Sequence, residues 1–179
     1  MTPGFPHSAE FAPHFAGYIA LVKDVTDPLT KLEDQVDQVT SLLNNLDPAR
    51  RLYRYAPEKW SIQQLLGHLI DTERIFAYRA LRIARGDQTP LPGFDENAYV
   101  VAADAEAVDW DQLLAEFAAV RRSNILMLRN LPATAWTRTG EVNAAPISVR
   151  ALAYIMAGHV VHHLNILCER YLLPVKSNV

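Results

Sequence analysis

One cysteine in 179 residues, Cys168, leaves no partner for an internal disulfide and no Cys-x-x-Cys for redox chemistry or a zinc finger, which fits a reducing cytoplasm. An excess of one charge is missing too: 17 Lys+Arg against 20 Asp+Glu leave a net charge of −3, with the two signs interspersed. No broad basic field exists to hold a phosphate backbone or an anionic leaflet, so neither nucleic acid nor a membrane is an expected partner. Residues 1–10 carry Pro3 and Pro6 but no Lys, Arg or apolar run, so no secretion signal is expected there. No window reads as 18 apolar residues, so no membrane span is expected. What remains is a chain with 50% hydrophobic residues, long enough to bury about 70% of its unfolded surface in a single core.

What the chain does have is helical periodicity. Between Thr26 and Leu46 the apolar residues Leu29, Leu32, Val36, Val39, Leu43 and Leu46 recur in steps of three and four, placing them on one helical face. A second helix opens at Ser61, with Gln64 completing a capping-box pattern, and runs to Gly86. Its inward stripe is Ile62, Leu65, Leu69, Thr72, Phe76, Ala80 and Ile83. A third helix starts near Asp109 and carries Leu113, Phe117, Val120, Asn124, Met127 and Leu131 until Pro132 stops it. The fourth begins at Ser148 and turns Leu152, Met156, Val160 and Leu167 inward before ending around Tyr171 to Pro174. Four amphipathic helices without an alternating strand pattern predict an all-α four-helix bundle over residues 28–174. Residues 1–27 read as an extension whose Phe11, Phe15, Tyr18 and Val22 share a helical face and pack across one end of the bundle. The segment from Asp87 to Asp109 reads as a long connection and residues 133–147 as irregular.

Histidines interrupt this pattern. His159 and His163 fall on the fourth helix's inward stripe at i and i+4, where both imidazoles can reach one divalent cation. Burying two rings one turn apart leaves four nitrogens in need of partners, a cost that a metal removes. His68 borders the second helix's stripe next to Leu69; alone it reads as a core histidine, but in a bundle it can meet the pair as a third ligand. His162 points about 100° away from His163, so it reads as a group behind the ligands or in solvent.

At these residues the chain becomes similar to a known family. The string from Tyr55 to Phe76, with its Trp-Ser-x-x-x-x-x-x-His start, and the string from Ala157 to Leu167, with its His-x-x-x-His, resemble the DinB-like superfamily of metalloenzymes, over about Pro28 to Leu172. The resemblance implies a DinB-like four-helix bundle holding one divalent metal, commonly zinc or nickel, through His68, His159 and His163. It also implies a bacterial protein, often a homodimer, with characterised branches that transfer small thiols such as bacillithiol or mycothiol. The chain departs from the family pattern at Val160, where relatives carry Glu.

Three neutral His ligands leave coordination positions open for an exchangeable guest. In one reading the guest is a thiol, made nucleophilic at neutral pH and directed at an electrophilic small molecule, so the protein is a thiol S-transferase. In a second, the metal activates water for hydrolysis of small esters or amides. In a third, the bundle binds metal without catalysis. Asp71, one turn beyond His68, either orients that ring or pairs with Arg74, whereas Glu73 points elsewhere. Asp95, Asn97 and Tyr99 in the long connection are candidates for the pocket mouth. Arg74, Arg79, Arg82 and Arg85 form either a solvated face or a carboxylate-recognising one, and Cys168 reads as an inert core thiol.

Overall fold

The computed structural model describes residues 2–172. In chain order the helices are α1 (Ala16–Ala20), α2 (Pro28–Leu43), α3 (Pro48–Arg51), α4 (Ile62–Ala84), α5 (Glu96–Ala103), α6 (Trp110–Arg129) and α7 (Val149–Ile166). A hairpin of β1 (Thr139–Val142) and β2 (Ala145–Ser148) separates α6 from α7. Each of the four long helices begins at a side chain that accepts a hydrogen bond from its first turn: Asp27 from Leu29, Ser61 from Gln64, Asp109 from Gln112 and Ser148 from Ala151. Such a cap is worth about 1 kcal/mol. Ser61 and Gln64 close the full capping box.

Both α2 and α4 pack on α6 and α7, so the order around the bundle is α2, α6, α4, α7. The architecture is the all-α four-helix bundle, with consecutive long helices α2 and α4, and likewise α6 and α7, standing diagonally. Diagonal neighbours need long connections, and the chain supplies them.

The core falls into two parts, one around Leu32, Phe76, Ile125 and Met156, the other around Val39, Leu69, Phe117 and Val160. A buried polar layer lies between. Gln35 on α2 donates to the Ala157 carbonyl of α7 at 2.7 Å and accepts from Arg121 of α6 at 3.2 Å. Arg121, fully buried, pairs at 2.9 Å with Glu73 of α4, which is 3% exposed and also accepts from Asn124 at 3.1 Å. Burial pushes the Glu73 carboxyl up and the Arg121 guanidinium down, and each is opposed by the other's charge. Glu73 is thus turned to α6, away from the histidines, as the carboxylate of a cross-bundle ion pair.

Other sequence expectations are corrected as well. Residues 139–148 are not irregular but pair from Thr139↔Ser148 to Val142↔Ala145 around an Asn143–Ala144 turn whose two φ angles, 50° and 59°, are left-handed. The pattern was hidden because the strands are four residues long and Ala144 stands where a turn of this type usually shows glycine. The long connection holds α5, and Asp95 caps it by accepting from the amides of Asn97 and Ala98.

The N-terminal segment forms two short 3-10 turns and α1 instead of one helix. It lies against α7, with Phe15, Ile19 and Val22 buried. A Cβ on Gly158 would come 2.1 Å from the Tyr18 carbonyl oxygen, so this close approach requires glycine there. Glu10 anchors the segment by accepting from Ser148 at 2.6 Å and from Arg150 at 2.7 Å, which holds its carboxyl at about 2. Val149–Tyr171 is, contrary to expectation, long and apolar enough by composition to cross a membrane, but 67% of the qualifying window is buried inside the bundle, as befits a core helix. Its last turn widens into a π-helix over Leu167–Tyr171, which turns Leu167 and Tyr171 inward and leaves Cys168 exposed, not buried as the sequence suggests. The expected bundle end at 174 lies outside the described residues.

Candidate metal centre

His68 stands on α4 and His159 and His163 stand on α7, all three buried where these helices face each other. Their Nε2 atoms converge: His159 Nε2 lies 3.0 Å from His68 Nε2 and 3.1 Å from His163 Nε2. Hydrogen bonding accounts poorly for this cluster. A neutral imidazole has one donor and one acceptor nitrogen, so a single His159 Nε2 cannot be a good partner to two other Nε2 atoms at once. A cation at about 2.0–2.1 Å from each nitrogen would space them about 2.9 to 3.4 Å apart, for octahedral through tetrahedral angles, and the observed separations fall in that range. The donor set fits a divalent ion.

Burial holds all three rings neutral. It lowers His68 to about 4, with His162 adding to the effect, and lowers His159 and His163 well below the ordinary histidine value. Neutral imidazoles at neutral pH are the protonation state a metal requires. Thr72, one turn after His68 on α4, puts its hydroxyl 3.4 Å from His68 Nδ1. The Trp60 ring lies 4.8 Å from the His68 ring and Tyr18 packs edge-on to His159 at 5.3 Å, so aromatic surfaces wall the cluster. His163 Nδ1 is buried without a hydrogen-bond partner among the described residues.

The cluster opens into a cavity of about 600 Å³. Phe76 and Arg79 of α4, Phe94 and Glu96 of the long connection, and Asn143 of the hairpin turn line it together with His162. Among the described residues Glu96 is the one carboxylate in this lining. His162 is half-buried, with burial lowering its pKa, and packs edge-on to Tyr18 at 5.2 Å.

The sequence-derived site residues divide clearly. His68, His159 and His163 come together, and His162 joins the cavity wall. Asp71 does not turn to the cluster: its charged neighbours are Arg74 and Glu116, burial raises its pKa, and Thr72 is the residue beside His68 Nδ1. Asp95 is spent on capping α5. Asn97 borders a side cavity shared with His163 and Trp60, and Tyr99 borders another shared with Arg79 and Phe94, so neither lines the main cavity. The connection does reach the cavity, through Gly93, Phe94 and Glu96. Thr72 and Phe76 had a sequence signal, because they continue the His68 face at i+4 and i+8; Arg79 was one of four arginines the sequence offered together without singling it out, and Tyr18 and Asn143 had no site signal short of the tertiary structure.

A four-helix bundle with three buried imidazoles converging from two facing helices belongs to the metal-binding bundles. More particularly, the profile of the DinB superfamily matches residues 31–167, and the chain is a member of that family. A protein of Oceanobacillus iheyensis, named provisionally as a metal-dependent hydrolase, is 25% identical over 84 residues, 46% of this chain and 48% of that protein. The chain thus spans about half the length of this curated relative. Among solved structures, YfiT from Bacillus subtilis, described as a probable metal-dependent hydrolase with an unusual four-helix bundle topology, superposes with a TM-score of 0.73. At 17% identity, with 92% of this chain and 89% of that one covered, the likeness is one of fold.

Proposed function

We propose that the protein is a divalent-metal-dependent enzyme in which His68, His159 and His163 hold the ion, zinc or nickel, and a small-molecule thiol is transferred to an electrophilic substrate. The observation that carries this reading is the convergence of three Nε2 atoms at the head of an open cavity. Three protein ligands leave room for an exchangeable guest, which is what separates a catalytic site from a structural one. A divalent ion held there supplies a Lewis acid that makes a thiol, or water, a nucleophile at neutral pH.

The chain's own residues account for the rest. Trp60, Tyr18 and Phe76 shield the cluster from bulk water and strengthen electrostatic interactions inside it. His162, half-buried in the cavity wall, takes the proton released when the thiol enters as thiolate and returns it to a leaving group; its support is its position in the same lining as the three histidines. Cys168 is exposed and lines no part of the cavity, so the thiol comes from outside the chain.

The thiol reading is preferred because a thiol is acidic enough to ionise without a strong base, whereas hydrolysis usually recruits a carboxylate, and the one in the lining among the described residues, Glu96, is exposed to solvent. Hydrolysis of small esters or amides is the second reading, favoured by the names of the two relatives and by His162 as an available base. Purified protein reconstituted with zinc or nickel should conjugate monochlorobimane to at least one of cysteine, bacillithiol or mycothiol, with turnover abolished in His159→Ala. Absence of conjugation with every thiol, alongside metal-dependent cleavage of p-nitrophenyl esters, would replace the first reading with the second.

A further inference from the structure

Arg79 is 5% exposed, yet it meets no carboxylate among the described residues. Its one hydrogen bond among the described residues is from a terminal nitrogen to the Pro92 carbonyl at 2.8 Å. Burial pulls its pKa down, and no neighbouring charge opposes that pull. This is unusual, because buried guanidinium groups are ordinarily paired with anions. The other deeply buried arginine of the bundle obeys the rule, since Arg121 has Glu73.

The guanidinium is also held in a fixed plane. Its Cζ lies 5.9 Å from the Phe76 ring centroid and 5.7 Å from that of Phe94, so two aromatic residues flank it. These contacts and the Pro92 bond use little of its five-donor fork, and the residue forms part of the cavity wall into which the three histidines open. Phe76 links the two centres: its ring centroid is 5.9 Å from that of His159 as well, so guanidinium and imidazole are separated by no more than about the reach of a small organic molecule. Glu96, the one acid of the lining among the described residues, stands exposed near Tyr18, whose phenol is pushed up by burial and further by the Glu96 charge, and makes no ion pair with Arg79.

From this geometry we propose that Arg79 is a specificity-determining residue that binds an oxyanion, a carboxylate or a phosphoryl group, on the substrate of the three-histidine cavity. The inference rests on reading that cavity as the substrate site. A planar, aromatic-flanked fork with free donors suits bidentate capture of such a group, and the desolvation cost of the bare cation is recovered when the anion arrives. The substrate class narrows accordingly, to small molecules that carry a negative charge a few bonds away from the reacting atom.

The test is titration of the purified protein with succinate, with inorganic phosphate and with neutral succinamide, followed through the Arg79 Nε–Hε resonance and cavity amides. Wild type, Arg79→Gln, Arg79→Lys and His159→Ala are compared, with thermal midpoints recorded for each. We expect wild type to bind at least one of the anions and not succinamide, Arg79→Gln to bind at least tenfold more weakly, and His159→Ala to retain the binding. Succinate binding that Arg79→Lys fails to restore identifies a carboxylate, while phosphate binding that it partly restores identifies a phosphoryl group. No anion binding by wild type, or equal binding by wild type and Arg79→Gln, overturns the proposal. Binding lost in His159→Ala but kept in Arg79→Gln also overturns it while leaving the metal reading intact. If Arg79→Gln unfolds, Arg79→Lys decides: undiminished succinate affinity there contradicts recognition by the fork.

Discussion

His68, His159 and His163 are withdrawn from water, and burial sets their protonation before any ligand arrives. In the unfolded chain each titrates near 6.5, whereas His68 in the fold titrates at about 4 and the other two well below the ordinary value. Between those limits the unfolded chain binds more protons, so stability of the metal-free protein falls as pH drops from about 6.5 towards 4. The slope should approach roughly 1 kcal/mol per pH unit for each such histidine. Urea midpoints at pH 7 and pH 5 check this: the metal-free wild type should lose stability across the interval and His68→Leu should lose less, while parallel changes in the two would refute it. The histidines were legible in the sequence because polar residues on an apolar stripe stand out. For Arg79 the sequence left a solvated and a carboxylate-recognising reading open for four arginines alike, because nothing local tells Arg79 from Arg74, Arg82 and Arg85 until Phe94 folds over it.

Elements were legible in proportion to how local their signals are. All four long helices open at side-chain caps, and caps together with periodicity can be read from sequence. The β1–β2 hairpin went unseen because its turn uses Asn143–Ala144, with Ala144 at φ 59°. An alanine in the left-handed region costs about 1 kcal/mol that glycine avoids. Ala144→Gly should therefore raise the thermal midpoint by a few degrees, as measured by calorimetry; a lowered midpoint would show that the turn is not strained. The hairpin matters to the site because Asn143 and Val142 form part of the cavity wall. The position of the N-terminal segment was similarly illegible, since the cue is a missing side chain at Gly158, which lets the Tyr18 backbone close over α7 beside His159.

At the scale of the whole molecule, diagonal placement of consecutive helices brings α4 beside α7, the two that carry the histidines. Next to the cluster, the layer formed by Gln35, Glu73, Arg121 and Asn124 ties together all four long helices, with the Ala157 carbonyl as its α7 member. Sliding one helix by a turn would strand a buried charge, so this layer fixes the register that lets His68 meet His159. None of it followed from periodicity, which says which residues face inward but not which helix they meet. An ion bound by the cluster would join α4 to α7 and couple metal binding to stability of the bundle.

The most direct test is elemental analysis of the untagged protein, with His163→Ala prepared alongside under conditions free of chelator. The account requires close to one divalent ion per wild-type chain and its loss from the variant. Equal metal content in the two proteins, or none in wild type even after reconstitution, would contradict it and return the three histidines to the role of core residues.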